Sequence, residues 1–290
     1  MKKLITIIGG LCIASMLQAQ VRTEQLFEKG WKFTREDKAE FSQAGYDDAK
    51  WQSVTVPHDW AIYGPFSINN DKQNIAITQD GQKEAMEHAG RTGGLPFVGV
   101  GWYRLDFEAP SFEKGKQATL IFDGAMSHAH VYINGHEAGY WPYGYNSFHV
   151  DATPYLKPGE VNELAVRLEN ENESSRWYPG AGLYRNVHLV VTEDAYVPTW
   201  GTCVTTPVVN EKYAKVVLNT KLATAKGTDR SAYRIVTEIK DPNGKVVAKE
   251  ENKLSVFNEC QFEQEFAVAT PALWSVENPF LYTAESKIYA

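Results

Sequence analysis

Between residues 103 and 191 apolar positions recur at every second residue in short bursts, with little of the three-and-four spacing of an amphipathic helix. Residues 103–108, 118–122, 129–133, 162–167 and 187–191 are rich in β-branched or aromatic side chains and are bounded by Gly, Pro or Asp. That is the composition of strands that bury one face. Asn134-Gly135, set between apolar runs, predicts a type I′ hairpin, because both central residues of that turn need positive φ. Short strands at this spacing predict a two-sheet sandwich and an all-β chain. Residues 69–100 interrupt the pattern with charges and glycines, and 79–88 predicts a short helix there. A long irregular insertion in a compact domain is usually functional or disordered.

A second series begins after Tyr196-Val197-Pro198. Its expected strands are 202–208, 215–223, 233–240, 246–250, 261–268 and 281–288, with Asp241-Pro242-Asn243-Gly244 a turn. Six strands so spaced resemble an immunoglobulin-like sandwich, which normally has seven. The seventh is expected after Ala290, so residues 197–290 read as an incomplete sandwich following a first domain at 20–196.

The start of the chain follows a different rule. Lys2-Lys3, an apolar run from Leu4 to about Met16, and the small-residue exit Leu17-Gln18-Ala19 predict a secretory signal peptide over 1–19. The apolar run falls short of the roughly 20 residues that span a bilayer. Leu11 before Cys12 argues against a lipid anchor, since lipidation sites carry a small residue there. Removing the signal leaves 27 basic and 36 acidic residues, a net charge of −9 against −7 for the whole 290. An acidic, exported chain has no use for nucleic acid or anionic lipid and suits neutral sugars. Cys203 and Cys260 fall in strand-like runs and read as free, buried thiols rather than a disulfide framework.

The chemistry-bearing segment is Asn172-Glu173-Ser174-Ser175-Arg176-Trp177-Tyr178-Pro179-Gly180-Ala181-Gly182-Leu183-Tyr184-Arg185-Asn186-Val187. It sets an arginine, aromatics and a glycine-rich turn between two strands, which is how a β-scaffold offers a loop to a polar ring. Arg176 has five donors in a fixed fork suited to vicinal hydroxyls, and Trp177 or Tyr178 can pack on the apolar face of a hexose. Two other readings stay open: Arg176 paired with a nearby acid, and the aromatics as core anchors. His128 and His130 lie two apart, a possible pair of zinc ligands, but a third ligand at recognisable spacing is missing. Gly180-Ala181-Gly182 lacks the Lys-Ser/Thr of a phosphate cradle and reads as a turn. There is no Gly-x-Ser-x-Gly nucleophile elbow. Neither cofactor nor metal is expected.

The same segment, together with Trp51-Gln52-Ser53-Val54-Thr55-Val56-Pro57-His58-Asp59-Trp60, Gly101-Trp102-Tyr103-Arg104 and Val131-Tyr132-Ile133-Asn134-Gly135-His136, resembles glycoside hydrolase family 2 in the same order. Residues 271–282 resemble the end of that family's immunoglobulin-like domain. The resemblance implies a sugar-binding jelly roll for the first sandwich and a (β/α)8 barrel following the second. Relatives hydrolyse β-galactosides, β-glucuronides or β-mannosides with two barrel glutamates, the retaining arrangement with carboxyls about 5 Å apart. Nothing in the 290 residues resembles that barrel, so this chain alone is expected to be inactive. Five Asn-Glu dipeptides, including Asn162-Glu163 and Asn170-Glu171, read as turn and strand-end pairs rather than as the acid/base. In known relatives an aspartate stands at the position of Arg176 and touches the innermost sugar. The resemblance therefore makes Arg176, Trp177 and Asp59 the substrate-binding candidates, with a strand-end cap the competing reading of Asp59. The expected partners are a β-galactoside or related glycan and the barrel. A self-standing carbohydrate-binding protein is the rival from another class.

Overall fold

The computed structural model describes residues 22–67, 70, 72–74, 87–90, 97–113, 115–171, 180–224, 233–253 and 261–289. The expected signal peptide, Cys12, Cys260 and the segment 172–179 lie outside them. In chain order the first strands are β1 (Arg22–Leu26), β2 (Trp31–Thr34), β3 (Gln52–Val54), β4 (Lys72–Asn74), β5 (Glu87–Gly90), β6 (Gly99–Glu108) and β7 (Gln117–Phe122). There follow β8 (Ala129–Ile133), β9 (His136–Trp141), β10 (Phe148–Asp151), β11 (Val161–Asn170), β12 (Val187–Thr192) and β13 (Ala195–Tyr196). A four-stranded sheet in the order β1-β12-β7-β10 faces a six-stranded one in the order β3-β2-β6-β11-β8-β9. This is the jelly roll, and the pairings among its described strands are antiparallel.

Alternation explains the layering. Ala118, Leu120 and Phe122 of β7 and Val187, Leu189 and Val191 of β12 point inward against Tyr103, Leu105 and Phe107 of β6 and Leu164, Val166 and Leu168 of β11. β6 is buried on its other face too, because residues 38–51 fold back over it: Phe41 packs on Trp102, with Trp51 and Tyr46 beside it. Arg104 pins that segment. Its guanidinium, 3% exposed, lies 3.0 Å from Asp48 and 3.1 Å from Glu163 and donates to the Phe41 carbonyl at 2.7 Å. Glu163 in turn accepts from the Gly45 amide, while Asn162, fully buried, ties the 157–162 turn to Asn134. The Asn162-Glu163 pair is thus structural. Asn134 and Gly135 adopt φ of 50° and 82°, the type I′ hairpin expected between β8 and β9.

The second series comprises β14 (Thr202–Val209), β15 (Tyr213–Lys221), β16 (Ala223–Thr224), β17 (Arg234–Lys240), β18 (Val246–Lys253), β19 (Gln261–Ala269) and β20 (Thr283–Tyr289). Sheets β14-β15-β19 and β18-β17-β20 form the immunoglobulin-like sandwich, with β16 paired to β13. Val216, Leu218, Ile239, Phe266 and Val268 share one cluster of its core, and Leu222, Tyr233, Ile235 and Phe262 share another.

Two expectations are corrected. Residues 87 and 88, the end of the stretch 79–88 read as a helix, lie in β5, which pairs with β4; 79–86 lie outside the described residues. Cys203 is exposed rather than buried, because every residue of β14 is exposed.

Candidate functional site

The candidate site grows from one end of the jelly roll, where the loop after β3 meets the turn that leads into β12. His58 N–H donates to the Leu183 carbonyl at 2.7 Å, and Gly182 exchanges two backbone bonds with Met126 at 3.0 and 3.1 Å. The three loops are therefore knitted by main chain before any side chain acts. Gly182 permits this approach: its φ is 98°, and a Cβ there would collide with the Tyr103 hydroxyl and the His58 carbonyl.

Asp59 is the side chain that binds the two motifs together. Its Oδ1 accepts from the Ala61 amide at 2.9 Å and from the Ala181 amide at 3.0 Å. Ala61 and Ala181 are buried, at 1% and 0% exposure, so these amides need an internal acceptor. Asp59 thus binds the first amide of the short 3₁₀ turn Ala61–Tyr63 and at the same time holds the glycine-rich turn 122 residues away in sequence.

His58 and Tyr103 form the floor. Tyr103 is fully buried beneath the loop, and its hydroxyl lies 2.7 Å from His58 Nδ1. Burial drives the phenol well above its ordinary pKa, against a hydrogen bond from the Leu183 backbone. Burial also lowers the His58 pKa; Asp59 opposes this shift and Arg35 reinforces it. With the phenol protonated and the imidazole neutral the pair shares one proton, whose direction is set by the His58 tautomer, and the Tyr103 O–H also has the His58 carbonyl within 3.4 Å. Trp60, fully buried, stacks on Phe33 at 5.4 Å, and Tyr63 lies parallel to the His58 ring at 6.0 Å with 69% of its surface in solvent.

Arg35 flanks this wall. Its guanidinium donates to the Trp60 carbonyl at 3.2 Å and lies 5.1 Å from the Phe97 ring, with no carboxylate partner among the described residues. Desolvation lowers its pKa, as expected for a part-buried cation without a neutralising acid. The sequence reading did not single out His58, Tyr103 or Arg35. The first two lie within quoted motifs, but nothing in the sequence says that residues 45 apart share a hydrogen bond.

Of the sequence-predicted site residues, Asp59 stands in this wall, while Arg176 and Trp177 lie outside the described residues. Gly180, where the described chain resumes after them, has φ of 78° and approaches Asp59 Oδ2. His128 and His130 are both engaged on the outer surface: His128 Nδ1 is 2.7 Å from the Tyr140 hydroxyl and its Nε2 3.3 Å from Glu171, and His130 Nδ1 is 2.8 Å from Glu137. Such an arrangement offers hydroxyl-binding donors, acceptors and an exposed aromatic face. Among the described residues it sets no nucleophile beside a base.

Known proteins share this architecture. The sequence model of the sugar binding domain of glycosyl hydrolases family 2 matches residues 27–193, and that of glycosyl hydrolases family 2 itself matches 201–290. A β-galactosidase of Bacteroides ovatus, BoGH2A, is 37% identical over 97% of this chain and 31% of its own length. A protein of Formosa agariphila described as a putative β-glucuronidase is 33% identical over 92% of this chain and 24% of its own length. The crystal structure of a family 2 member from Bacteroides cellulosilyticus superposes with a TM-score of 0.79 at 34% identity, covering 92% of this chain and 33% of that one. The chain spans about a third or less of the length of these relatives. With more than half of its residues matched by the sugar binding domain alone, the chain belongs to glycosyl hydrolases family 2.

Proposed function

We propose that this chain is the N-terminal, non-catalytic part of an exported family 2 hydrolase most like a β-galactosidase. Joined to its (β/α)8 barrel, it would cleave terminal β-glycosidic bonds in carbohydrate breakdown. The observation that carries the reading is the Asp59 to Ala181 bond, which unites the His58-Asp59-Trp60 and Gly180-Ala181-Gly182 motifs in one wall. In this reading Asp59 and Arg176 take substrate hydroxyls and Trp177 packs on the ring. Residues 1–19 are the signal peptide, which makes the protein periplasmic or extracellular; 20–196 form the jelly roll and 197–290 the immunoglobulin-like domain.

Replacing Arg176 by alanine in the full-length enzyme tests the site. A lost hydrogen bond to a charged group should reduce kcat/KM by about 1.5–3 kcal/mol on a chromogenic β-galactoside, with thermal stability unchanged. Unchanged kinetics would remove Arg176 from the rim. A parallel loss of stability and activity would make it a packing residue.

One observation favours a second reading, the same region of a β-glucuronidase. Arg35 is a part-buried cation beside the loop with no carboxylate against it among the described residues, a fit for a sugar that carries its own carboxylate. The ratio of kcat/KM for chromogenic β-glucuronide over β-galactoside decides between them. Under the β-glucuronidase reading, Arg35→Gln lowers only the glucuronide value.

A further inference from the structure

A cleft of about 380 Å³ lies between the outer face of the β1-β12-β7-β10 sheet and the strap of residues 197–202 that crosses it. It is built from other residues than the Asp59 loops. On the sheet side, the His188 imidazole sits between two carboxylates, Nδ1 2.9 Å from Glu24 Oε1 and Nε2 3.0 Å from Asp123 Oδ2. Nε2 donates to Asp123 Oδ2, whereas Nδ1 has no hydrogen-bond partner among the described residues although Glu24 lies beside it, and the second oxygen of each carboxylate has no donor among them. Arg22 lines the same face.

The strap contributes Trp200, which stands in an unusual conformation. Gly201 N–H closes a tight turn on the Pro198 carbonyl at 2.8 Å, and Trp200 occupies the turn position with φ of 57°. That region favours glycine and disfavours a bulky L-residue. Trp200 is 63% exposed and, among the described residues, belongs to none of the core clusters; its ring meets the edge of the fold at His149, with centroids 5.2 Å apart. An aromatic held out in solvent at a glycine position is an outlier that points to a role outside folding.

We propose that this cleft is a saccharide-binding site in which the Trp200 indole packs on the apolar face of a pyranose while Glu24, Asp123 and Arg22 take its hydroxyls. The chemistry fits a sugar better than a protein surface. A docking partner would need a contiguous apolar patch, whereas here the indole and the apolar groups of Ile121, Val197 and Pro198 are interspersed with charged and hydroxyl side chains. The volume falls in the range of roughly 300–1,000 Å³ typical of small-ligand clefts. The His188 to Asp123 bond positions one acceptor before a ligand arrives, and Glu24 stands 2.9 Å from the other ring nitrogen.

The test is affinity electrophoresis of the full-length protein through native gels cast with soluble β-1,4-galactan or with a mixed-linkage β-glucan, each against a sugar-free gel. Wild type should be retarded by at least one of them. Trp200→Gly should weaken the apparent affinity tenfold or more and Glu24→Gln about fivefold, while kcat/KM on a small chromogenic glycoside is unchanged. The glycine variant should melt at or above the wild-type temperature, because it suits the left-handed turn. No retardation of the wild type by either glucan or galactan would overturn the proposal. Equal retardation of wild type and Trp200→Gly would overturn it too, and so would a change of oligomeric state in the variant without loss of glycan affinity, which would make Trp200 a protein contact.

Discussion

Replacing Asp59 by alanine should open the candidate site locally before it alters anything else. The change removes one acceptor oxygen that serves two buried amides, those of Ala61 and Ala181. A hydrogen bond to a charged acceptor contributes about 1.5–3 kcal/mol net, and a buried N–H left unpaired costs about 1–3 kcal/mol. Both residues are almost wholly inaccessible, so water cannot replace the carboxylate without some opening of the loops. Taking the low end for each amide, because Asp59 itself is only part-buried, the variant should lose about 2–4 kcal/mol. The local reading is amide hydrogen exchange: protection of Ala61 and Ala181 should fall roughly 30-fold or more, since 1.36 kcal/mol is a factor of ten. Asp59→Asn keeps an acceptor oxygen and should recover at least half of the protection. If Asp59→Ala exchanges these two amides at the wild-type rate, the bonds do not hold the turn, and the wall inferred for the site has no fastener.

Further expectations concern the floor, the frame and the leader. Burial lowers the His58 pKa, so the stability it brings is fully present above the ordinary value of about 6.5 and is lost as pH falls through the depressed folded value; its ring should titrate below 6.5 by NMR, and the stability lost on acidification over that window should be smaller in His58→Gln. Arg104→Met strands Asp48 and Glu163 beside apolar atoms and should cost about 3–5 kcal/mol in urea denaturation. Gly182→Ala should destabilise by roughly 1–3 kcal/mol from the backbone alone, read as a lower melting temperature. Amino-terminal sequencing of the secreted protein should begin at Gln20; a start at Met1 would refute the leader.

Period-two alternation made much of the fold legible. β7 and β8 carry it cleanly and β11 and β12 in part, and Asn134-Gly135 announced its hairpin because positive φ at two successive positions leaves few sequences to choose from. β1, β2 and β3 escaped for a physical reason. Arg22, Glu24 and Leu26 face outward on a short edge strand, and β2 and β3 span four and three residues, too few for a period to register. β5 escaped because Glu87-His88-Ala89-Gly90 has no strand composition at all; its pairing with β4 is a tertiary choice. The exposure of Cys203 is likewise set by where β14 lies in its sheet, which no local pattern encodes.

The site was legible in its motifs and not in its connections. Sequence placed Asp59 beside His58 and Trp60, but its function as a fastener depends on Ala181, and that pairing exists only once β3 and β12 lie at the same end of the jelly roll. This has a consequence for how such a site tolerates change. A residue that both ties loops and borders a ligand cannot be varied for specificity without loosening the wall, whereas a residue on the tied loop can. The Ala181 amide is held by the Asp59 carboxylate and the Gly182 backbone by Met126, so the turn at 180–182 is fixed by one side chain and by main-chain bonds. Under the proposed function, substitution of Arg176 or Trp177 should alter which glycoside is accepted while the two sandwiches stay as they are.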